Sequence, residues 1–278
     1  MNKINQNLKK LLSQGYCVVD NVLGEVECKK LITHLKNINQ NLSKNKFYVD
    51  ERSNKGQVII RDLIFRKPDI FLKVIDNIFV MKFLKKIFND VFILDNVMAS
   101  NSINVKKNYK SLVHMDAHLP CKQNKNTADV IAFFCLEPFY KENGSTRIWP
   151  KSHKTGIRIQ NSKNYKHLIK RRSVALEANR GSCIFILGQT WHQIGKNEDS
   201  NSRWGIFIHY KRWWIKPSTD FTKCGLKIFN KLNNKQKELL GFNSISPRYD
   251  FKKQTKKIRT LRKISQIKSL SYKKTLDY

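Results

Sequence analysis

The spacing of apolar residues divides the chain into a helical start, a β-rich middle and a basic end. Residues 5–14 predict a helix, and Gly15-Tyr-Cys-Val-Val-Asp-Asn-Val-Leu23 a strand closing in a turn. Val26, Leu31, Ile32, Leu35 and Ile38 then mark one face of a second helix over 25–38. Residues 41–57 are polar and read as a loop, Val58-Ile-Ile-Arg-Asp-Leu-Ile64 as extended, and 68–92 as helical. From about 93 to 214, short apolar or alternating runs (93–105, 111–117, 128–136, 145–149, 173–176, 182–187 and 203–213) are separated by Gly, Pro, Asn and Ser. Lys141-Glu-Asn-Gly144 and the loop 196–202 read as hairpin connections. Strands at this spacing predict a mainly β fold with flanking helices, a sandwich or barrel. Residues 227–241 predict one more helix before Pro247 interrupts.

Composition sets the class. Hydrophobic residues make up 40% of the 278, with 16 Phe and 5 Trp, enough for a globular core. Apolar runs such as 130–136 are far short of the roughly 20 residues that cross a bilayer. The polar start MNKINQNLKKLL lacks the apolar segment of a signal peptide. A cytoplasmic protein with no transmembrane segment is expected. Cys17, Cys28, Cys121, Cys135, Cys183 and Cys224 are scattered without a Cys-x-x-Cys pair. Buried reduced thiols are expected there, and a zinc site is not.

Charge changes the picture most. The 54 Lys and Arg stand against 21 Asp and Glu, a net charge of +33. Such a field favours anionic partners: nucleic acid, acidic lipid headgroups or phosphorylated small molecules. Residues 248–278 alone carry 11 Lys or Arg against 2 Asp. Within them Ile258, Leu261, Ile264, Ile267 and Leu270 recur every third residue, which predicts a basic amphipathic helix. The organisation expected is one domain over 1–247, with its β core at about 93–214, and a basic helical tail over 248–278. That tail either packs back on the domain or binds an acidic surface, acidic lipid or nucleic acid.

The candidate chemistry begins at His114-Met-Asp116, inside the apolar stretch 112–116. In a strand, residues i and i+2 leave the same face, so imidazole and carboxylate converge on one point. His192 follows the strand 183–187, and after a polar loop Arg203 opens the strand Trp204-Gly-Ile-Phe-Ile-His-Tyr210. A hairpin of this kind returns Arg203 close to His192. Two imidazoles and one carboxylate that leave open positions form the facial triad suited to Fe(II). 2-Oxoglutarate chelates such an ion through its 1-carboxylate and 2-oxo oxygens. Its far carboxylate then needs a fixed cation, and a guanidinium supplies two parallel charge-assisted hydrogen bonds.

These pieces resemble the phytanoyl-CoA dioxygenase family of Fe(II)/2-oxoglutarate-dependent oxygenases. The matching segments are Gly15 to Leu23, His114-Met-Asp116, Glu142-Asn-Gly-Ser-Thr-Arg-Ile-Trp-Pro-Lys-Ser-His153, and His192 to Arg203 with Asn197 between them. Trp213-Trp-Ile-Lys-Pro217 and Glu238-Leu-Leu-Gly-Phe242 complete the set, in order, over roughly 13 to 243. The resemblance implies a double-stranded β-helix (jelly-roll, cupin-like) core. It implies that His114, Asp116 and His192 hold Fe(II), that Arg203 binds 2-oxoglutarate, and that O2 is consumed with release of succinate and CO2. It also makes Asn101, on the strand before His114, a candidate co-substrate contact; strand parity separately puts His118 on the face of 114 and 116, a candidate at the rim or an ordinary surface histidine. Lys151 stands where the family usually has Gly after Pro, which alters a loop. Asp116 favours hydroxylation, or desaturation, over halogenation, since related halogenases lack this carboxylate, and the positive charge makes a small anionic metabolite the expected substrate. Nucleic-acid demethylases of the superfamily resemble one another in a second arginine six residues after the first; here that position is His209, which weighs against a nucleic-acid-directed oxygenase. An intact triad with its arginine weighs against a silent jelly-roll binding module. Trp149, Trp191, Trp213 and Trp214 are expected mainly in the core, and His153 in a structural turn. His34, His167 and His209 have no assigned role.

Overall fold

The computed structural model describes residues 3–43, 56–104, 111–117 and 127–242; His118, Cys121 and the basic tail 248–278 lie outside them. In chain order the elements are α1 (Lys3–Gln14), β1 (Tyr16–Val19), α2 (Glu25–Ser43), β2 (Gln57–Ile60), α3 (Leu63–Arg66), α4 (Pro68–Ile75), α5 (Ile78–Phe88), β3 (Phe92–Ser102) and β4 (Asp129–Cys135). There follow β5 (Arg147–Ile148), α6 (Tyr165–Leu168), β6 (Val174–Ala175), β7 (Cys183–Leu187), β8 (His192–Gln193), β9 (Arg203–Arg212), α7 (Gly225–Phe229) and α8 (Asn234–Leu239). They form an antiparallel sheet of order β1-β7-β4-β9-β3-β2 and a small one of order β6-β5-β8.

Period-two alternation decides what each face of the large sheet touches. In β4, Val130, Ala132 and Phe134 join the core shared with the helices, while Ile131, Phe133 and Cys135 face the small sheet. In β7, Cys183, Phe185 and Leu187 take the first side, Ile184 and Ile186 the second. Ile148 of β5 and Val174 of β6 close the second cluster from the opposite wall. Two sheets with a shared interior, flanked by helices on one outer face, are the expected jelly roll. Phe134 and Phe185 are fully buried, and truncating either to Ala costs about 3–5 kcal/mol. Tyr210 ties helix to sheet by donating its hydroxyl to Ile75 O at 2.7 Å.

Several boundaries differ from the sequence pattern. The run 58–64 is strand only to Ile60; Asp62 takes a left-handed φ of 59° and turns the chain into α3. Short apolar runs fit either structure, and burial of Leu63 and Ile64 among the helices decides this one. The helical stretch 68–92 is two helices. Asn77 caps the second by accepting from Phe79 N and Val80 N at 3.0 and 3.2 Å. Residues 227–241 likewise divide where Asn233 and Gln236 form a capping box. The segment 111–117 pairs only through an isolated bridge at His114. The loop 196–202 is no hairpin turn, because it carries the chain from β8 of the small sheet to β9 of the large one.

The five described cysteines are free and buried, and burial pushes the Cys17 thiol up to about 12. Among the described residues no helix is long and apolar enough to cross a membrane.

Candidate active site

His114 and His192 are brought together by their backbones before their side chains. His114 N donates to His192 O at 2.9 Å and His192 N returns the bond to His114 O at 2.8 Å. The rings face each other with centroids 4.4 Å apart. Each Nδ1 lies against a carbonyl, His114 on Leu112 O at 3.0 Å and His192 on Thr190 O at 2.9 Å. A carbonyl only accepts, so each Nδ1 carries a proton and each Nε2 is the ring nitrogen turned toward Asp116.

Asp116 completes the cluster. Its backbone N donates to Gly188 O at 3.0 Å. Gly188 can have no side chain, because a Cβ there would stand 1.4 Å from Asp129 Oδ1. Asp116 Oδ1 lies 3.5 Å from His114 Nε2, and Oδ2 lies 3.4 Å from His192 Nε2. One ligand atom from each of the three residues falls within 4.8 Å of the others, a donor set that fits a single divalent ion. Burial alone would push the Asp116 carboxyl up, but the attraction of His192, His114 and His209 overrides it and holds the group well below the usual carboxylate range. An ionised carboxylate is the form in which Asp116 could bind a metal ion.

The ligand segment is clamped from outside the sheets. Val113 N donates to Tyr165 Oη at 2.8 Å, and the Gln160 amide both accepts from Met115 N and donates to Met115 O. Val113, Met115 and Ala117 pack with Trp149 and Trp191, so these two tryptophans are core, as expected. His153 is also structural, buried with Nε2 3.1 Å from Leu12 O.

Arg203 opens β9 on its inner face. Nε donates to Asn143 O at 3.2 Å and Nη2 to Gly144 O at 2.8 Å, while the guanidinium carbon sits 3.8 Å from the Phe139 ring centroid. Burial pulls its pKa down to about 10, which leaves it charged at neutral pH. Among the described residues no carboxylate forms an ion pair with it, and Nη1 is buried without a partner. Glu137 attracts the guanidinium only from beyond ion-pair distance; a buried cation without a close counter-charge is costly, and a carboxylate-bearing ligand would relieve it.

The polar residue of β3 that pairs with Arg203 is Ser102, not Asn101. Ser102 pairs with Arg203 across the β3–β9 ladder, and its Oγ is buried without a partner. Gly144 keeps the space open: at φ +74°, a Cβ there would meet Ser102 Oγ at 2.4 Å. Asn101 pairs with Trp204, and adjacent residues of a strand point to opposite faces. The structure therefore does not bring Asn101 to Arg203. Parity in the ladder also finds His209, two alternations beyond Phe207's neighbour Gly205 on Arg203's own face. It is buried, with Nε2 3.9 Å from Asp116 Oδ2, and burial holds its pKa down against the pull of Asp116.

Deeper still, Lys211 and Asp95 form a buried ion pair of 2.9 Å. Burial pushes the neighbouring Asp129 carboxyl up to about 7, with Asp116 adding repulsion and Lys211 opposing it. An acid whose folded pKa lies above its unfolded 3.8 favours the fold below that lower value and loses the contribution as pH climbs toward 7. Asp129→Asn is expected to flatten this slope and raise the Tm of the metal-free protein at pH 8 by several degrees. Melts at pH 5 and pH 8 in chelator check it; an unchanged difference between the two refutes the assignment.

Comparison with known proteins agrees with this geometry. An uncharacterized protein of Mycobacterium tuberculosis is 20% identical over 239 residues, covering 83% of this chain and 84% of its own. The epimerase SnoN, in complex with Fe3+, alpha ketoglutarate and nogalamycin RO, superposes with a TM-score of 0.60 at 15% identity, over 75% of this chain and 83% of that one. HygX from Streptomyces hygroscopicus, with nickel and 2-oxoglutarate bound, gives 0.60 at 12% identity, over 80% and 93%. The family model for phytanoyl-CoA dioxygenase (PhyH) matches residues 11–205. That match runs from α1 to the start of β9 and includes His114, Asp116, His192 and Arg203, and the chain belongs to the phytanoyl-CoA dioxygenase family of Fe(II)- and 2-oxoglutarate-dependent enzymes that use O2.

Proposed function

We propose that the chain is a hydroxylase acting on a small, anionic metabolite, with 2-oxoglutarate converted to succinate and CO2. The observation that carries this reading is the pairing of two incomplete sites. Three converging donors lie within 4.8 Å, and the interior holds a cation and a hydroxyl, Arg203 Nη1 and Ser102 Oγ, both buried and unpartnered. His114, Asp116 and His192 would hold Fe(II), and Arg203 with Ser102 the distal carboxylate of 2-oxoglutarate. When bound, iron and co-substrate supply O2 activation coupled to oxidative decarboxylation. The chain's own share is geometry: backbone-paired imidazoles, one carboxylate that leaves open positions, and an aromatic wall of Phe133, Phe139 and Phe207. On a bound ion Asp116 would take the position that related halogenases leave free for a halide, which supports hydroxyl transfer.

The anionic class rests on charge beside the site. Residues 151–172 carry eight Lys or Arg and no acid, and Tyr165 and Gln160 of that stretch hold the ligand segment. The basic tail 248–278 would add to the same attraction, for an acidic metabolite or an acidic surface.

The test is anaerobic loading with Fe(II) and 2-oxoglutarate, then O2 and a metabolite screen. A product heavier by one oxygen, with matching succinate, is expected. Succinate matched to a product of unchanged mass would replace hydroxylation by an isomerising outcome, as the name of SnoN describes for that enzyme. Absence of iron-dependent succinate across the screen would sink the oxygenase reading. A substrate insensitive to added salt would count against the anionic class.

A further inference from the structure

We propose that His209 is a positioning residue for the metal-ligating carboxylate, holding Asp116 so that it binds iron through one oxygen. The inference rests on the ligand assignment made above.

Three observations carry it. The Asp116 carboxylate is divided between its neighbours: Oδ1 lies 3.5 Å from His114 Nε2, whereas Oδ2 faces His192 at 3.4 Å and His209 at 3.9 Å. His209 is not one of the three residues whose donor atoms converge, so it addresses the carboxylate and not the ion. Its ring is also fixed in place. It is buried on the inner face of β9, edge-on to Phe207 at a centroid distance of 5.8 Å, and sits between Asn96 of β3 and Ile131 of β4 in the ladder.

The consequence follows from coordination arithmetic. A six-coordinate ion held by two imidazoles and one carboxylate oxygen keeps three positions for the chelating co-substrate and O2. A carboxylate that binds through both oxygens removes one of them. An N–H donor facing Oδ2 competes for that oxygen and keeps the position open. At 3.9 Å the contact is an ion-pair distance, longer than a direct hydrogen bond; rotation of the carboxylate or one bridging water closes it.

The experiment is anaerobic Fe(II) titration of the full chain, followed by 2-oxoglutarate titration of the charge-transfer absorption of the iron–keto-acid complex. His209→Leu is expected to leave Fe(II) affinity close to that of the unaltered chain, since the freed Oδ2 can itself take up the ion, and to weaken 2-oxoglutarate chelation by about 10- to 100-fold, read in the charge-transfer titration. His209→Gln, which carries an amide donor at similar reach, is expected to recover most of the 2-oxoglutarate affinity. Should the leucine variant not fold, His209→Asn, whose amide stops short of Asp116, is expected to lose 2-oxoglutarate affinity in its place. The proposal is overturned if the variant without a donor in reach chelates 2-oxoglutarate within about twofold of the unaltered chain, or if glutamine is as weak as leucine. An unaltered chain that takes up no Fe(II) refutes the ligand assignment itself, a result distinct from either of these.

Discussion

Asp116→Gly is expected to abolish 2-oxoglutarate-dependent turnover while leaving the fold intact. The substitution removes the one anionic donor of the cluster and leaves two neutral imidazoles to hold a divalent ion. Loss of an outer-shell partner already costs about 10–100-fold in metal affinity, so loss of the ligand itself exceeds about 100-fold. The fold is spared because the backbone bond from residue 116 to Gly188 O does not involve the side chain. Val113, Met115 and Ala117 still pack beneath the segment. Thermal melts in chelator are therefore expected to match the unaltered chain, with iron uptake and substrate-coupled succinate release both lost. Unimpaired coupled turnover in this variant would remove Asp116 from the ligand set and with it the whole reading of the site.

The cluster was legible in the sequence because its geometry is mostly local. His114 and Asp116 need only two residues of extended chain to share a face, and His192 and Arg203 flank one polar loop. The route differs from the expected hairpin, since His192 belongs to the small sheet and Arg203 to the large one. What joins the histidines is the bridge between residues 114 and 192, a contact between segments 78 positions apart that no local pattern announces. Asn101 and Ser102 show the same limit at single-residue resolution. Both are polar and adjacent, and only the register against β9 decides which one meets Arg203. His209 shares parity with Arg203 inside an alternating strand, so its face was readable; that the face lies over the Asp116 carboxylate was not. The helix boundaries at Asn77 and Asn233 were missed for another reason. Each cap is a side chain bonded to backbone two or three residues ahead, which interrupts a helix without interrupting the apolar period.

Arg203→Leu is expected to raise the KM for 2-oxoglutarate by about 100-fold. Truncating one partner of a buried, hydrogen-bonded charge pair costs about 2–5 kcal/mol, and 1.4 kcal/mol is about tenfold. Arg203→Lys is expected to fall nearly as far. It keeps the charge but not the planar fork, and it gives up the bonds to Asn143 O and Gly144 O that aim Nη1 into the interior. A clamp on the remote carboxylate contributes to ground state and transition state alike, so kcat at saturating 2-oxoglutarate is expected to change much less than KM. Stability separates this from a folding defect. Loaded with Mn(II), the unaltered chain is expected to gain about 2.7 kcal/mol of stability at 2-oxoglutarate 100 times its Kd, read as a rise in Tm. The leucine variant has lost a buried cation that lacked a carboxylate partner, so its own Tm is expected to hold or rise while the rise caused by 2-oxoglutarate disappears. A variant that keeps the full ligand-induced shift would show that the keto-diacid binds elsewhere, and that the unpartnered guanidinium serves the fold alone.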